Sequence, residues 1–279
     1  MSSSTPFEYP SHLLAAVADL PAAPGVYTFH GQAGDLPLYI GKSIHLRSRV
    51  LSHLRNPAEA NLLRQTTRIS HIRCAGEIGA LLLEAQMIKQ QQPMLNQRLR
   101  RNRQLCSLRW TGERPEVVES RDFDFAREPQ LFGLYASRHA ALDSLRELAD
   151  RQRLCYGALG LEKLTAGRAC FRASLRQCSG VCAGTESPAV HQQRLLAGLE
   201  ALRLQCWPYP GAVGLVERWA QEPRQIHVIR NWCYLGSVSR LPQARQQAAV
   251  AADFDADGYK NPLSAAARRH GKNHSAVSR

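Results

Sequence analysis

The sequence predicts an α+β chain in two parts. Residues 1–104 read as a small sheet flanked by helices, and residues 105–260 as a cysteine-containing α+β region. Residues 261–279, small, polar and basic, read as a disordered tail. Three observations carry this reading. Short apolar-aromatic runs alternate with turn formers, which is the pattern of hairpins. Between them lie stretches whose apolar residues recur at helical spacing. Four of the eight cysteines crowd into residues 155–182, which sets the second part apart from the first. At 279 residues the chain can bury two modest cores.

The elements follow in order. A helix is expected over 11–19. Gly25-Val26-Tyr27 and Tyr39-Ile40-Gly41-Lys42 are separated by a stretch carrying Gly31, Gly34, Asp35 and Pro37, so they read as a hairpin with a long loop. Paired strands lie about 4.8 Å apart, which gathers two tyrosines and a lysine at one place. Ser43 reads as the N-cap of a helix over 44–55, with Leu46, Val50, Leu51 and Leu54 as its buried stripe. Arg49 lies on the other side, in line with His45 and His53 at i−4 and i+4. A helix over 57–66 and a strand over 69–75 lead to a helix over 77–91. Its middle is apolar except for one carboxylate, Glu84. An unpaired ionised carboxylate among leucines is costly, so such groups are paired or bound to metal. Asn96 follows beyond Pro93. Singly, the tyrosines would read as sheet packing, and Lys42 and Arg49 as solvated charge.

Together, in this order and spacing, Tyr27, Tyr39, Lys42, Arg49, Glu84 and Asn96 resemble the GIY-YIG nuclease family. The resemblance implies hydrolysis of a phosphodiester, with a divalent cation (Mg²⁺ or Mn²⁺) on Glu84, Arg49 clamping the scissile phosphate, and Tyr27 orienting. A single visible acidic ligand favours one ion over two. The resemblance names Tyr39 as the base that takes the proton of the attacking water. Residue chemistry keeps a rival open. A free tyrosine has a pKa near ~10 and is scarcely ionised at neutral pH, although Lys42 and a cation would favour the anion. His45 or His53 starts from ~6.5.

The net charge of +13 favours a polyanionic partner. Four of the arginines, Arg98, Arg100, Arg101 and Arg103, follow the glutamate helix directly and are expected to track a DNA backbone. No apolar run is long enough to span a membrane, and the first six residues lack the features of a secretory signal, so the expectation is a cytoplasmic protein without membrane contact. No phosphate-binding GxxxxGK[ST] loop occurs, and no helix-turn-helix or internal repeat is recognisable.

In the second part, 106–110 and 115–119 read as a hairpin around Gly112, 140–153 and 191–204 as helices, and 212–217, 225–230 and 232–238 as an antiparallel meander. In a cytosolic chain, clustered cysteines argue for metal over disulfides. The spacing C-x14-C-x7-C-x3-C of Cys155, Cys170, Cys178 and Cys182 lacks CxxC pairs and suits either zinc or an iron–sulfur cluster. The stretch 131–135, the helix after it and these cysteines resemble the region beyond the nuclease domain of UvrC-like excinucleases, with the short Cho-type members the nearest. The likeness spans roughly residues 20–205. It implies a [4Fe–4S] cluster on the four cysteines, with zinc the alternative; the gap from Cys155 to Cys170 is longer than the family pattern.

The resemblance also implies a nucleotide excision repair endonuclease. Its substrate would be damaged double-stranded DNA, cut once on the 3′ side of the lesion, with UvrB (and UvrA upstream) supplying recognition. The second nuclease and tandem hairpin repeats of UvrC are expected to be missing. Two other readings stand beside it. A site-specific endonuclease of restriction or homing type would need a base-reading module, and a catalytically silent DNA-binding accessory protein would not need the full set of site residues.

Overall fold

The computed structural model describes residues 10–32, 37–96, 105–165, 168–218 and 223–260. The four arginines between 98 and 103 and the tail after 260 lie outside the described residues. A short helix α1 (Leu14–Ala18) precedes strands β1 (Gly25–His30) and β2 (Pro37–Ser43). Helices α2 (Leu46–Leu54) and α3 (Ala60–Gln65), strand β3 (Arg68–Arg73) and the long helix α4 (Glu77–Gln91) follow. Next come β4 (Cys106–Trp110), β5 (Pro115–Glu119), β6 (Leu131–Tyr135), α5 (Arg138–Gln152), α6 (Phe171–Ser174) and α7 (Pro188–Glu200). The meander is β7 (Val213–Glu217), β8 (Gln225–Arg230) and β9 (Cys233–Val238), followed by α8 (Leu241–Ala248) and α9 (Ala256–Lys260). The α+β expectation holds, with three antiparallel sheets ordered β2-β1-β3, β5-β4-β6 and β7-β8-β9.

The first sheet is covered on both faces. Tyr27, Phe29 and Leu38 join Leu13, Val17, Leu46, Val50 and Leu54 in one core, while Val26 and Ile40 meet Met87 and Ile88 of α4. Burying a side chain such as Ile88 contributes about 1.5–3 kcal/mol. That burial fixes α4 against the hairpin. The helix over 77–91 has the expected bounds because apolar residues run from Ile78 to Ile88 with few interruptions.

The helix expected over 44–55 starts later. Gly25 pairs with Ser43, so β2 runs on through the residue read as a cap. Ser43 Oγ accepts the His45 N–H at 2.9 Å instead, a local turn, and α2 begins at Leu46 without a side-chain cap. The helix expected to reach 204 ends at Glu200, because the Leu202 carbonyl takes the Gly133 N–H and the Leu204 N–H reaches the Leu131 carbonyl. Its true start, Ser187-Pro188, is a cap followed by proline, a signal present in the sequence.

The chain divides into two compact units. One joins the residues before 103 to those from Tyr209 on; the other is Arg103–Pro208. The sequence reading kept 105–260 together. The contacts place the chain after 208 with the first unit: Glu217 and Gln225 of the meander hydrogen-bond at the start of α4, and Asp255, beyond α8, pairs with Lys89 near its end.

Candidate active site and cysteine centre

The site is built on the outer edge of β2, which among the described strands pairs with β1 alone. Edge N–H and C=O groups need partners. Here the chain after α4 and side chains supply them: the Met94 and Leu95 N–H groups donate to the Pro37 and Leu38 carbonyls at 3.3 and 2.9 Å. Asn96 accepts the Ile40 N–H on Oδ1 and donates Nδ2 to the Ile40 carbonyl, both at 2.8 Å, so one amide stands in for a strand residue. Glu84 Oε1 accepts the Lys42 N–H at 3.0 Å. The Lys42 ammonium lies 3.5 Å from Glu77 at the start of α4, a partly exposed pair of small energetic weight.

Tyr27 and Tyr39 share a face. Tyr27 sits opposite Gly41 and Tyr39 opposite Phe29, which makes the tyrosines diagonal neighbours with rings 6.3 Å apart. The glycine is required, since a Cβ at Gly41 would lie 2.4 Å from the Tyr27 hydroxyl oxygen. His53 of α2 closes the cluster, its ring 5.3 Å from Tyr27 and 5.7 Å from Tyr39. The Tyr27 hydroxyl meets His53 Nε2 at 2.6 Å, and His53 Nδ1 faces the Glu59 carboxylate. An ionised carboxylate only accepts, so Nδ1 carries the proton and Nε2 accepts from Tyr27. Arg49 hydrogen-bonds the same tyrosine. The phenol oxygen of Tyr27 thus donates to a histidine and accepts from a guanidinium.

Burial, then the nearby Tyr39, pushes Tyr27 far above its ordinary range, and Arg49 only partly opposes this. Burial also raises Tyr39, with the Glu84 charge adding and Arg49 opposing. Burial lowers His53 although Glu59 works the other way, so the imidazole stays neutral at neutral pH. Burial raises Glu84, and the Lys42 charge and N–H only partly offset it. A carboxylate held above its ordinary value and half withdrawn from water fits a cation, which removes the cost of its charge.

The structure therefore brings Tyr27, Tyr39, Arg49 and His53 together on one face, with Lys42, Glu84 and Asn96 along the edge of β2. His45 stands apart, exposed at the start of α2. The two histidines that were equal rivals for the base occupy different surroundings, and His53 is the one that touches a tyrosine.

Two partners were invisible in the sequence. Glu59 holds His53 from beyond a chain turn, with no periodic signal to mark it. Glu217 of β7 accepts the Ile78 N–H on Oε1 and the Gly79 N–H on Oε2, both at 2.8 Å. It caps α4 from 138 residues away, where the helix's own Gly76 supplies no side-chain cap. His227 Nε2 lies 3.0 Å from Glu217 and Gln225 accepts the Ala75 N–H at 2.9 Å, while Lys89 near the other end of α4 binds Asp255 at 2.6 Å. Hydrogen bonds to His227, Gly79 and Ile78 outweigh burial and keep Glu217 below the usual carboxylate range.

In the other unit, the ligand atoms of Cys155, Cys170, Cys178 and Cys182 lie within 4.8 Å of one another, including Cys155 across its long gap. The first three are buried and none of the eight cysteines forms a disulfide. The Cys170 N–H points at Cys182 Sγ and the Gly180 N–H at Cys178 Sγ, each at 3.3 Å. Burial disfavours the Cys182 thiolate, but the Cys170 N–H and the surrounding thiols bring it below its ordinary value. Such donors favour the anion that a metal requires. His191 accepts the Cys155 N–H at 3.0 Å and fixes that end of the group. Among the described residues, no helix is long and apolar enough to cross a membrane.

Family models match along the chain. The UvrC-like GIY-YIG domain matches residues 23–97, the UvrC/Cho excinuclease middle domain residues 105–201, and the excinuclease Cho C-terminal domain residues 212–276. Excinuclease cho of Salmonella typhimurium is 57% identical over 254 residues, covering 91% of this chain and 86% of that protein. Excinuclease cho of Escherichia coli K12 is 56% identical with the same coverage. UvrABC system protein C of Synechococcus elongatus is 33% identical over 70% of this chain and 31% of its own length. The magnesium-bound GIY-YIG N-terminal endonuclease domain of UvrC from Thermotoga maritima is 28% identical, covering 31% of this chain and 97% of that one, with a TM-score of 0.29. On the cho matches, which span nearly the whole of both sequences, the chain belongs to the Cho excinuclease family, metal-dependent endonucleases of the UvrC-like GIY-YIG group.

Proposed function

We propose that this excision nuclease makes one incision in damaged duplex DNA, on the 3′ side of the lesion, with recognition supplied by UvrA and UvrB. The observation that carries the catalytic reading is the junction at β2. Its tyrosine face meets Arg49 and His53, and its edge meets Glu84. Among the described residues this is one hydrolytic site, which suits one cut.

Glu84 would hold a single Mg²⁺ or Mn²⁺, which would supply positive charge beside the scissile phosphate. Arg49 clamps a phosphate oxygen and neutralises developing charge. Tyr39, less buried than Tyr27, takes the proton of the attacking water. Tyr27 is fixed by His53 and Arg49 and orients that water, and Lys42 adds charge at the tyrosine edge. Asn96 positions β2 without touching substrate. Arg98, Arg100, Arg101 and Arg103 track the backbone next to the cut.

The four cysteines hold a [4Fe–4S] cluster on this reading. Their spacing, within 4.8 Å of one another, fits a single zinc better, whose tetrahedral thiolates sit about 3.8 Å apart given Zn–S bonds near ~2.3 Å, whereas a cluster would spread the four sulfurs further. Anaerobic purification decides: a brown preparation containing iron supports the cluster, a colourless one containing zinc rejects it.

The function is tested on a lesion-bearing duplex loaded with UvrA and UvrB, with cuts mapped on both strands. One metal-dependent nick 3′ of the lesion, absent without UvrB, is expected. Discrete fragments from undamaged plasmid would instead establish a site-specific endonuclease.

A further inference from the structure

The segment between Cys170 and Cys178 is anchored at both ends by buried thiols, yet it turns apolar side chains outward. Phe171 is 69% exposed and Leu175 51%. Beside them Arg153, Arg172 and Arg176 line a cavity of about 330 Å³ together with Asp150 and Gln177. Asp150 is the one carboxylate lining it, and its charge is committed. Its Oδ1 lies 2.8 Å from Arg172 and accepts the Tyr156 hydroxyl at 2.8 Å, while the Arg172 guanidinium stacks 4.2 Å over the Tyr156 ring. Arg172 is thereby a fixed wall. Arg153 and Arg176 remain exposed at the mouth, so the cavity has a surplus of positive charge.

The backbone sets where these two arginines stand. Arg153 has φ of 51° and Arg176 of 57°. This left-handed region suits glycine and costs other residues about 1–2 kcal/mol. Both positions end helices: Arg153 is the left-handed C-cap of α5, and Arg176 closes the turn after α6, so the two helix ends place both arginines at the mouth of one cavity. The Arg153 guanidinium also donates to the Arg176 carbonyl at 2.5 Å, which ties the two together.

We propose that this loop is a DNA-backbone contact of the cysteine unit: Arg153 and Arg176 seat a phosphodiester, and Phe171 and Leu175 pack on the sugar or base beside it. The guanidinium fork matches phosphate oxygens in pairs. An exposed aromatic ring next to such a seat can stack on any base, which gives contact without sequence preference.

The test uses the intact chain and a short fluorescein-labelled duplex, with affinity read by anisotropy from low to moderate salt. The double variant Arg153→Gln/Arg176→Gln is expected to bind five- to thirtyfold more weakly near ~100 mM salt, with a salt slope smaller by about one to two. Phe171→Ser is expected to weaken binding about fivefold with the slope unchanged. Metal content and melting temperature are measured alongside. If the glutamine variant folds poorly, Arg153→Gly/Arg176→Gly removes the same charges while relaxing the backbone, and the same loss of affinity is expected. Unchanged affinity and slope in the well-folded variant would overturn the proposal. So would stabilisation of the wild-type protein by inorganic phosphate with no change in duplex binding, since that marks a free-anion site.

Discussion

Burial of Tyr27 and Glu84 sets their protonation states, and on the proposed mechanism this bears on cleavage. Tyr27 is held as a neutral phenol whose proton points at His53, so it cannot be a ready-made base. Tyr39→Phe should therefore reduce cleavage by 10²-fold or more, the scale of a lost general base, while Tyr27→Phe should cost about tenfold. Single-turnover rates at saturating DNA separate the two, and a Tyr39→Phe protein cutting at the wild-type rate would move the base role to His53. Glu84 makes a prediction of opposite sign for activity and stability. Its folded pKa is raised by burial, so the folded state binds the proton more tightly than the unfolded one. The ionised side chain then destabilises the cation-free protein above that pKa, and the penalty vanishes as pH falls below the ordinary carboxylate value. Glu84→Gln keeps an oxygen for the Lys42 N–H and removes the charge. It should abolish cleavage yet raise the melting temperature in chelator by about 1–3 °C at pH 7–8. The gain should disappear toward about pH 4.

At the level of elements, α4, which carries Glu84, is held at both ends by a part of the chain far away in sequence. Its largely apolar middle seats it on Val26 and Ile40, and that much was legible: a long apolar stretch interrupted by one carboxylate announces a buried helix whose charge needs a partner. The hairpin, α5 and the meander were legible for the same local reasons. What was not legible is what depends on pairing at a distance. Ser43 looks like a cap in sequence because only β1 can reveal that the strand continues through it. Glu217 looks like a strand carboxylate because nothing near it reveals the two N–H groups it meets. Glu217→Ala would leave those donors uncapped and lose a charge at the positive end of the helix. It should cost about 1–2 kcal/mol. Because the start of α4 sets the direction of Glu84, the divalent-ion affinity of Glu217→Ala should fall several-fold with duplex affinity nearly unchanged. Calorimetric titration of Mn²⁺ beside DNA anisotropy checks this, and equal losses in both would indicate general unfolding instead.

Across the whole molecule, chain order and spatial grouping disagree. The cysteine unit of residues 103–208 interrupts a nuclease unit made from the chain before it and after it. The composition signalled two cores and a division near residue 104, but the return of the chain after 208 to the first unit was not legible, because metal-ligand residues are conspicuous and sheet-to-helix hydrogen bonds are not. The division has a consequence for truncation. A chain ending at Pro208 keeps Tyr27, Tyr39, Arg49 and Glu84, and a linear reading expects it to cut DNA. The contacts expect otherwise. Such a chain loses Glu217 and Gln225 at the start of α4 and the Asp255 partner of Lys89 near its end. It also exposes whatever apolar surface the meander covers on α4. Each lost cap or buried charge partner costs about 1–3 kcal/mol, and the sum is a large part of what holds a unit of this size together. The truncated protein should therefore lose its nuclease melting transition, or have it lowered by about 10 °C or more, and should lose cleavage with it. The cysteine unit makes its own core and should keep its metal and its own transition. Differential scanning calorimetry with metal analysis on the same sample reads both units at once. If the nuclease transition and the cleavage rate survived the truncation, the meander would be an accessory to the fold and α4 would owe its position to β1 and β2 alone.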